Sequence, residues 1–139
     1  MTLTDRKSRF LLAGKAPRKK AAYVSEKMIE LLSSIPIPNK VVKTITPDRG
    51  KEFSNHFAVT EALNNVPFYF PDPHAPWQRG TNENTNGLIR EYLPKSKEMD
   101  TVDDSVIYRM VEKLNSRPRK SLGWKTPYEV FFNKVLHLI

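Results

Sequence analysis

Strand-like and helix-like segments alternate along this chain, and that alternation limits its possible folds more than any other feature of the sequence. Val41–Thr46 is a short β-branched run and Val66–Phe70 is a second run typical of a strand, with a helix-forming segment, Asn55–Asn64, between them. Ahead of all three, charged residues within Thr2–Gly14 separate two short apolar runs, a pattern typical of a hairpin. We therefore predict a mixed α/β layer fold, in which reactive side chains lie at strand ends and at neighbouring helix termini.

Apolar repeats predict three further helices. Apolar residues at helical spacing indicate a helix at about Lys19–Ser34, which Pro36 and Pro38 end. A second helix is expected at about Arg79–Tyr92, and a third, amphipathic one follows the apolar repeat Val102–Leu114.

Capping signals predict where several helices begin. Ser54 is expected to cap the helix over Asn55–Asn64, and Thr101 is expected to cap the amphipathic helix. Thr126–Glu129 combines a threonine cap, a proline at the first helical position and a glutamate three residues after the cap, which predicts a short closing helix. The side chains available to pack from the Asn55–Asn64 helix are Phe57, Ala58, Ala62 and Leu63.

The charge balance indicates a polyanionic partner. The 139 residues include 23 Lys and Arg against 15 Asp and Glu, a net charge of +8, and the most direct partner for that excess is nucleic acid. An anionic membrane is the weaker alternative, because no apolar run approaches the roughly 20 residues that span a bilayer. The absence of cysteine excludes a disulfide framework, a thiolate nucleophile and a Cys-based zinc site. A reducing cytoplasm fits this composition.

Two carboxylates fall where an α/β fold places reactive groups. Asp48 directly follows the first β-branched run, and Glu83 lies in the helix-forming segment after the second one. The interval between them holds one helix, one strand and one loop, enough to return the chain beside its starting point. Carboxylates brought together in this way suit Mg²⁺ or Mn²⁺, hard cations that prefer oxygen ligands. The plainer alternative is that both are surface acids, Asp48 in an ordinary turn and Glu83 on a solvated helix.

The residues around Glu83 favour contact with nucleic acid. Asn82, Asn86 and Arg90 follow one another at intervals of four, so they share a broad helix face with Glu83. Amide and guanidinium groups suit phosphate and base-edge contacts. A polar helix face is the alternative, but Asn and Gly are poor helix formers, which indicates that something other than helix stability holds this composition.

Other candidate DNA contacts lie beside the two carboxylates and in the basic segment after the amphipathic helix. Trp77 either stacks on a base or packs as a lid on the core, and His74 either contacts a phosphate or is an ordinary loop histidine. The basic, aromatic segment from Arg117 to Lys125 either binds DNA or is a solvated linker. The predicted DNA-binding residues are Arg49, Lys51, His74, Trp77, Gln78, Arg79, Asn82, Asn86, Arg90, Arg117, Arg119, Lys120, Trp124 and Lys125.

Three motifs resemble a known family. TPDRGKEF, VPFYFPDPHAPWQRGTNENTNGLIREYLPK and LNSRPRKSLGWKTPYEVF are similar to the catalytic core of bacterial insertion-sequence transposases of the IS30 type, in the DDE transposase and retroviral integrase superfamily. The resemblance covers nearly the whole chain. It implies a ribonuclease-H-like fold with a mixed sheet flanked by helices in a partial catalytic core over residues 1–116, followed by a basic tail with a short helix over residues 117–139.

The resemblance also implies a chemistry and partners. The family's second catalytic aspartate and its glutamate stand in the motifs matched by Asp48 and Glu83, so both residues are expected to be catalytic and to bind Mg²⁺ or Mn²⁺. That chemistry is donor-end cleavage and strand transfer without a covalent protein–DNA intermediate. The implied partners are transposon-end and target DNA, and either another copy of this chain or a full-length transposase. The implied location is the bacterial cytoplasm, at the nucleoid.

Three departures from the family pattern shape the expectation for this chain. The interval from Asp48 to Glu83 looks one residue longer than in the family. The family's first catalytic aspartate lies upstream of the hairpin, and Asp5 matches only a turn position. The family's N-terminal helix-turn-helix region also has no match. We therefore expect an N-terminally truncated core that lacks its first strand, binds metal weakly through two carboxylates and is inactive alone.

Three hypotheses remain open from the sequence. The chain is a transposase core whose Asp48 and Glu83 form part of a metal site, or a non-enzymatic fragment that binds DNA or a transposase and acts as an inhibitor. The third hypothesis is a basic α/β nuclease-like domain unrelated to transposition.

Overall fold

The computed structural model describes residues 1–16, 20–35, 42–47, 50–72, 74, 80–94 and 101–132. The chain divides into two compact units. The first unit is Met1 with Gly14–Arg79, and the second is Thr2–Ala13 with Gly80–Ile139. The elements of each unit are described separately below.

The second unit opens with a hairpin, as the sequence predicts. Strand β1, Thr2–Thr4, pairs antiparallel with β2, Leu11–Ala13. The turn is closed by the Asp5 carboxylate, which accepts hydrogen bonds from the backbone N–H of Ser8 at 2.8 Å and from its hydroxyl at 2.5 Å. Because a short acidic side chain can bond to the backbone of the residues just after it, this charged sequence forms a turn rather than a longer strand.

The first unit packs two helices around a small apolar core. Helix α1, Ala21–Ser33, confirms the helix expected near Lys19–Ser34. Helix α2 is His56–Ala62, preceded by a short 3₁₀ turn, Lys51–Phe53. The buried hydrophobic residues of this unit are Val24, Met28, Ile45, Val59 and Val66.

The two predicted strands of the first unit are wrong in extent. Among the described residues of these runs, the pairing is one parallel bridge between Ile45 and Phe68. The Ile45 N–H donates to the carbonyl of Pro67 at 3.0 Å, and the Tyr69 N–H donates to the carbonyl of Ile45 at 2.9 Å. Pro67 has no N–H to donate, which limits the ladder in this run.

The predictions for α2 also need correction. Asn55, not Ser54, precedes the helix, and it makes no capping bond because its side-chain amide donates to the Ser25 hydroxyl of α1 at 2.9 Å. Ser54 instead ends the 3₁₀ turn. Phe57, expected to pack, is 74% exposed, because this two-turn helix buries its opposite side through Val59. Ala62 is exposed as well.

Three helices complete the described part of the second unit. They are α3, Gly80–Ile89, α4, Asp104–Asn115, and α5, Pro127–Phe132. Helix α3 ends before the predicted Tyr92, because the N–H groups of Glu91 and Tyr92 bond three residues back, which tightens the last turn. The core that joins β2 to α3, α4 and the segment between them consists of Leu11, Ile89, Leu93, Val102, Ile107, Met110 and Leu114.

In this unit one predicted helix start is confirmed and another is wrong. The α5 capping box is confirmed, since the Thr126 N–H donates to the Glu129 carboxylate at 3.2 Å and the Glu129 N–H donates to the Thr126 hydroxyl at 3.1 Å. The cap of α4 is Asp103 rather than Thr101, and its carboxylate accepts from the Ser105 N–H at 3.4 Å. Both threonine and aspartate can cap, so the sequence alone does not choose between positions two residues apart.

Asn115, the last residue of α4, completes the pairing of β2. Its side-chain oxygen accepts from the Leu11 N–H at 2.8 Å, and its amide N–H donates to the Leu11 carbonyl at 2.9 Å. The buried amide thus makes the two hydrogen bonds to the Leu11 backbone that a neighbouring strand would otherwise make. Among the described residues, no helix has the length and apolar composition needed to span a bilayer.

Candidate functional site

Helix α3 presents a polar face to solvent. It buries Thr85 and Ile89, which are four residues apart, and leaves Glu83 and Asn86 exposed. Arg90, directly after the helix, is exposed too, and its N–H donates to the Asn86 carbonyl at 3.1 Å. The sequence-predicted grouping of these three residues on one side therefore agrees with the helix geometry. Asn82 lies in the same helix.

Glu83 stands in the first turn of α3, where the helix dipole stabilises a carboxylate. Within the described part of the chain, its carboxylate has no hydrogen-bond or ion-pair partner, so both oxygens are available to a ligand. An exposed, unpaired carboxylate fits a hard divalent cation. The described residues contain no group of three or more His, Asp or Glu side chains that could hold a metal ion, and Asp48 lies outside them.

The start of α3 is tied to the hairpin by Arg9. A guanidinium N–H of Arg9 donates a hydrogen bond to the hydroxyl of Thr81, which lies two residues before Glu83. Arg9 has a φ of 64°, in the left-handed region that few side-chain-bearing residues adopt. Sequence reasoning missed this residue, because it reads as one of several charges in a turn and no linear pattern marks a positive φ.

Arg117 and Arg119 are engaged by their own chain. Arg117 donates to the Tyr92 hydroxyl at 2.8 Å and reaches the Glu91 carboxylate at 3.3 Å. Arg119 donates to the carbonyl of Leu114 at 3.0 Å, near the end of α4. These bonds attach the segment after α4 to the ends of α3 and α4.

The charge of Arg119 is only partly compensated. Burial lowers the pKa of Arg119 below its ordinary value, and the positive charges of Arg117 and then Arg9 lower this pKa further. Glu91 and Tyr92 act in the opposite direction. The Nε of Arg119 is buried and has no hydrogen-bond partner among the described residues. The positive charges of Arg117 and Arg9 therefore both act on the Arg119 guanidinium.

The loop from Arg119 to Lys125 presents the other tail candidates to solvent. Backbone bonds close it: the Arg119 N–H donates to the Lys125 carbonyl at 3.0 Å, and the Trp124 N–H donates to the Arg119 carbonyl at 2.8 Å. Lys120 and Lys125 are exposed, and Trp124 is 67% exposed with a φ of 66°. This loop therefore holds an aromatic ring and two cations at the surface.

The remaining candidates are dispersed or lie outside the described residues. Lys51 is exposed at the start of the 3₁₀ turn, and His74 is exposed, with its backbone N–H donating to the Asp72 carboxylate at 2.9 Å. The predictions outside the described residues are Asp48, Arg49, Trp77, Gln78 and Arg79.

Comparison with curated proteins finds insertion-sequence transposases. The chain is 41% identical over 129 residues to the transposase InsI for insertion sequence element IS30A of Escherichia coli K12, a match that covers 93% of this chain and 33% of the relative. It is 40% identical over 131 residues to the transposase for element IS4351 of Bacteroides fragilis, covering 94% of this chain and 39% of the relative. The transposase for element IS1086 of Cupriavidus metallidurans is 41% identical over 128 residues, or 92% of this chain and 37% of the relative. The chain thus spans about a third of the length of these relatives.

Comparison with solved structures finds integrase cores. The catalytic core domain of BIV integrase superposes with a TM-score of 0.70 at 18% identity, over 95% of this chain and 84% of that one. The simian T-cell lymphotropic virus intasome, solved with the PP2A regulatory subunit B56γ, gives a TM-score of 0.75 at 18% identity, over 99% of this chain and 49% of that one. These likenesses confirm the predicted ribonuclease-H-like fold. No protein-family model matches the chain.

Proposed function

Because this chain belongs to the family of IS30-type insertion-sequence transposases, we propose that it carries DNA-processing residues of transposition, acting on transposon-end and target DNA. The observation that supports the proposal most directly is the carboxylate of Glu83, which is exposed and has no hydrogen-bond or ion-pair partner among the residues that the structure describes. It stands on a polar helix, in a chain of which 93% aligns with a transposase. The net charge of +8 is consistent with a DNA partner.

Glu83 has the central role in this proposal. Its carboxylate would hold Mg²⁺ or Mn²⁺ together with Asp48. When bound beside DNA, such a cation activates the attacking oxygen and stabilises the leaving oxygen of a phosphodiester. The first turn of α3 keeps Glu83 at the surface, where DNA can approach without rearrangement of the core. Two carboxylates without further ligands bind the cation weakly.

Neighbouring side chains would bind the DNA. Asn86, on the exposed face of α3, and Arg90, exposed directly after the helix, suit contacts with phosphate and sugar. In the loop after α4, Lys120 and Lys125 supply positive charge, and Trp124 supplies a flat ring on which a base can stack. These contacts would position the DNA strand, while Glu83 would bind the metal ion.

A non-enzymatic function is the second candidate, and the loop from Arg119 to Lys125 favours it. Its exposed Trp and Lys side chains can bind DNA without any metal. In that case the chain would occupy DNA ends or associate with a transposase and act as an inhibitor. The enzymatic candidate requires the Glu83 carboxylate as a metal ligand, whereas the non-enzymatic candidate does not.

Metal titration tests the role of Glu83. We expect calorimetry with Mn²⁺ to show weak binding by the unaltered chain and a loss of about tenfold or more in affinity for Glu83→Gln. The matched control is Glu112→Gln, which removes the same charge from an exposed position on α4 and should leave the isotherm unchanged. Equal isotherms for Glu83→Gln and the unaltered chain would remove Glu83 from the metal site.

A plasmid assay then separates the enzymatic and non-enzymatic candidates. Supercoiled plasmid is incubated with Mn²⁺ and either the unaltered chain or Glu83→Gln. We expect this chain alone to bind the plasmid and not to nick it, because two carboxylates hold the metal weakly. Nicking that Glu83→Gln abolishes would show an active centre completed by another carboxylate. Equal plasmid binding by both proteins, together with no Mn²⁺ binding in calorimetry, would favour the non-enzymatic inhibitor.

A further inference from the structure

The loop from Arg119 to Lys125 displays a large aromatic ring in a strained backbone conformation. Trp124 is 67% exposed, and its φ of 66° directly follows the φ of 62° at Gly123. Glycine adopts such angles without cost, whereas a bulky side chain rarely does. Among the described residues, no hydrogen bond of the indole and no contact with another aromatic ring offsets this strain. Strain of this kind is typical of residues that serve a binding site.

Both ends of the loop are fixed to the second unit. The Arg119 N–H donates to the Lys125 carbonyl at 3.0 Å, which closes the loop on itself. Thr126, the next residue, is buried and forms the capping box of α5 with Glu129. Because its ends are fixed, the loop holds Trp124 at the surface before any ligand arrives, which reduces the entropy lost on binding.

The loop also carries two cations that the described structure leaves unpaired. Lys120 and Lys125 are exposed, and neither has an ion-pair partner among the residues that the structure describes. Aromatic rings that stack on bases, together with cations that follow the phosphates, are the means by which proteins bind single-stranded nucleic acid. A second copy of this chain is a poorer partner, because each copy carries a net charge of +8 and the two would repel each other.

Stacking restricts the ligand to bases that are not already stacked in a duplex. Inside double-stranded DNA both faces of a base are covered by its neighbours, so an indole has no free face to contact. Unpaired bases present their faces, and an aromatic side chain can stack on any of the four. The exposed ring therefore favours a single strand, whereas lysine contacts with phosphates alone would bind a duplex as well.

We propose that the loop from Arg119 to Lys125 binds single-stranded DNA, with the Trp124 indole stacked on an unpaired base and with Lys120 and Lys125 bound to phosphates of the same strand. The choice of DNA rests on the proposed function, whereas the preference for an unpaired base rests on the loop alone. This binding requires no metal ion.

The first test compares Trp124→Ala with Tyr108→Ala, which removes a ring of 72% exposure from α4 of the same unit. Affinities for a labelled single strand and for a blunt duplex of the same length are measured by fluorescence anisotropy without divalent cations. We expect Trp124→Ala to weaken single-strand binding about tenfold and to change duplex binding less than about twofold, while Tyr108→Ala changes neither. Equal losses on both DNAs, or no loss on either, would overturn the proposal.

An abasic strand tests whether the contact is stacking. It keeps the phosphates and lacks the bases, so we expect the unaltered chain to bind it more weakly than the intact strand. Trp124→Ala should lose little further affinity for the abasic strand, because the ring and the base act as one pair. Losses that add independently would show that the ring does not contact a base, and would overturn the proposal.

Two further variants of Trp124 separate binding from folding. Trp124→Phe keeps a smaller ring and should retain part of the single-strand affinity. Trp124→Gly removes the strain of the positive φ, so it should unfold at no lower a temperature than the unaltered chain and still lose the affinity. Full single-strand affinity in Trp124→Gly would overturn the role of the ring.

The behaviour of the unaltered chain separates this proposal from the proposed function. Duplex binding, with single-strand binding that Trp124→Ala leaves unchanged, would overturn stacking and leave the proposed function intact. If the unaltered chain binds neither DNA, both fail. Self-association in sedimentation that Trp124→Ala abolishes would then assign the ring to a second copy of the chain.

Discussion

Helices α3 and α4 belong to the same unit but differ in capping, helix propensity and burial. Helix α4 has an aspartate cap, an acidic first turn, a basic last turn and a continuous buried side formed by Ile107, Met110 and Leu114. Helix α3 carries a run of asparagines and Gly87, residues that favour helix poorly, and buries few side chains. The difference indicates that α4 supports the fold, whereas α3 displays polar groups and depends on tertiary contacts to remain helical.

The largest expected effect tests the supporting role of α4. Leu114 is 1% exposed and lies in the core with Leu11 and Ile89, so Leu114→Ala should lower the free energy of unfolding by about 3 kcal/mol through lost contacts and a residual cavity. Denaturant unfolding measures the change. Tyr108→Ala is the control, because Tyr108 is on the same helix and 72% exposed. A similar loss in both variants would refute the division of α4 into a buried and an exposed side.

A smaller loss of unfolding free energy is expected for a substitution where α4 meets the hairpin. Asn115→Ala leaves the buried N–H and carbonyl of Leu11 without their partners, which should cost about 2 kcal/mol of unfolding free energy. Hydrogen exchange at the Leu11 amide should accelerate more than exchange elsewhere in the hairpin. The neighbouring Ser116→Ala changes an exposed residue and serves as the control. Unchanged protection of Leu11 would mean that water replaces the Asn115 amide at little cost.

The smallest expected effect on the free energy of unfolding tests α3, and here the substitution should stabilise the fold. A methyl group added at Gly87 meets no atom within 4 Å, so Gly87→Ala should stabilise the chain by about 1 kcal/mol through helix propensity. Gly123→Ala is the matched control, because Gly123 has a φ of 62°, where a side chain is strained, and should destabilise by a similar amount.

DNA affinity completes the test of α3. If the helix trades stability for an open approach to DNA, Gly87→Ala should raise the unfolding midpoint and weaken duplex binding by a few fold. A rise in stability with no change in affinity would show that the exposed face at Gly87 is not in contact with DNA. That outcome would separate Gly87 from Asn86 and Arg90, whose contacts can be tested in the same assay.

Local chemistry made much of the fold predictable. The turn at Asp5, the apolar repeats of α1 and α4 and the capping box of α5 depend on residues within a few positions of one another, and each is present in the structure. One failed prediction has a local cause and another has a tertiary cause. Pro67 limits a ladder that its apolar neighbours favour, and Asn55 gives its side chain to Ser25 instead of to its own helix.

The exposure of the helix residues in the candidate site was predictable, whereas their roles stay predictions. The exposed face of Glu83, Asn86 and Arg90 follows from helical spacing. The pairing of Glu83 with Asp48, implied by the family resemblance, stays a prediction, as do the division at residue 116 and the metal. Arg117 and Arg119 were predicted as DNA contacts from charge alone, and the structure shows that each also bonds to its own chain.

The sequence by itself determined which segments form the helices and the hairpin, the excess of positive charge and the similarity to IS30-type transposases, because these depend on composition and on neighbours along the chain. Tertiary structure alone decided that Asn115 completes β2 and that Arg9 reaches Thr81. The reason is distance along the chain: Leu11 and Asn115 are 104 positions apart and Arg9 and Thr81 are 72 apart, so these bonds form only once folding brings the hairpin against α3 and α4.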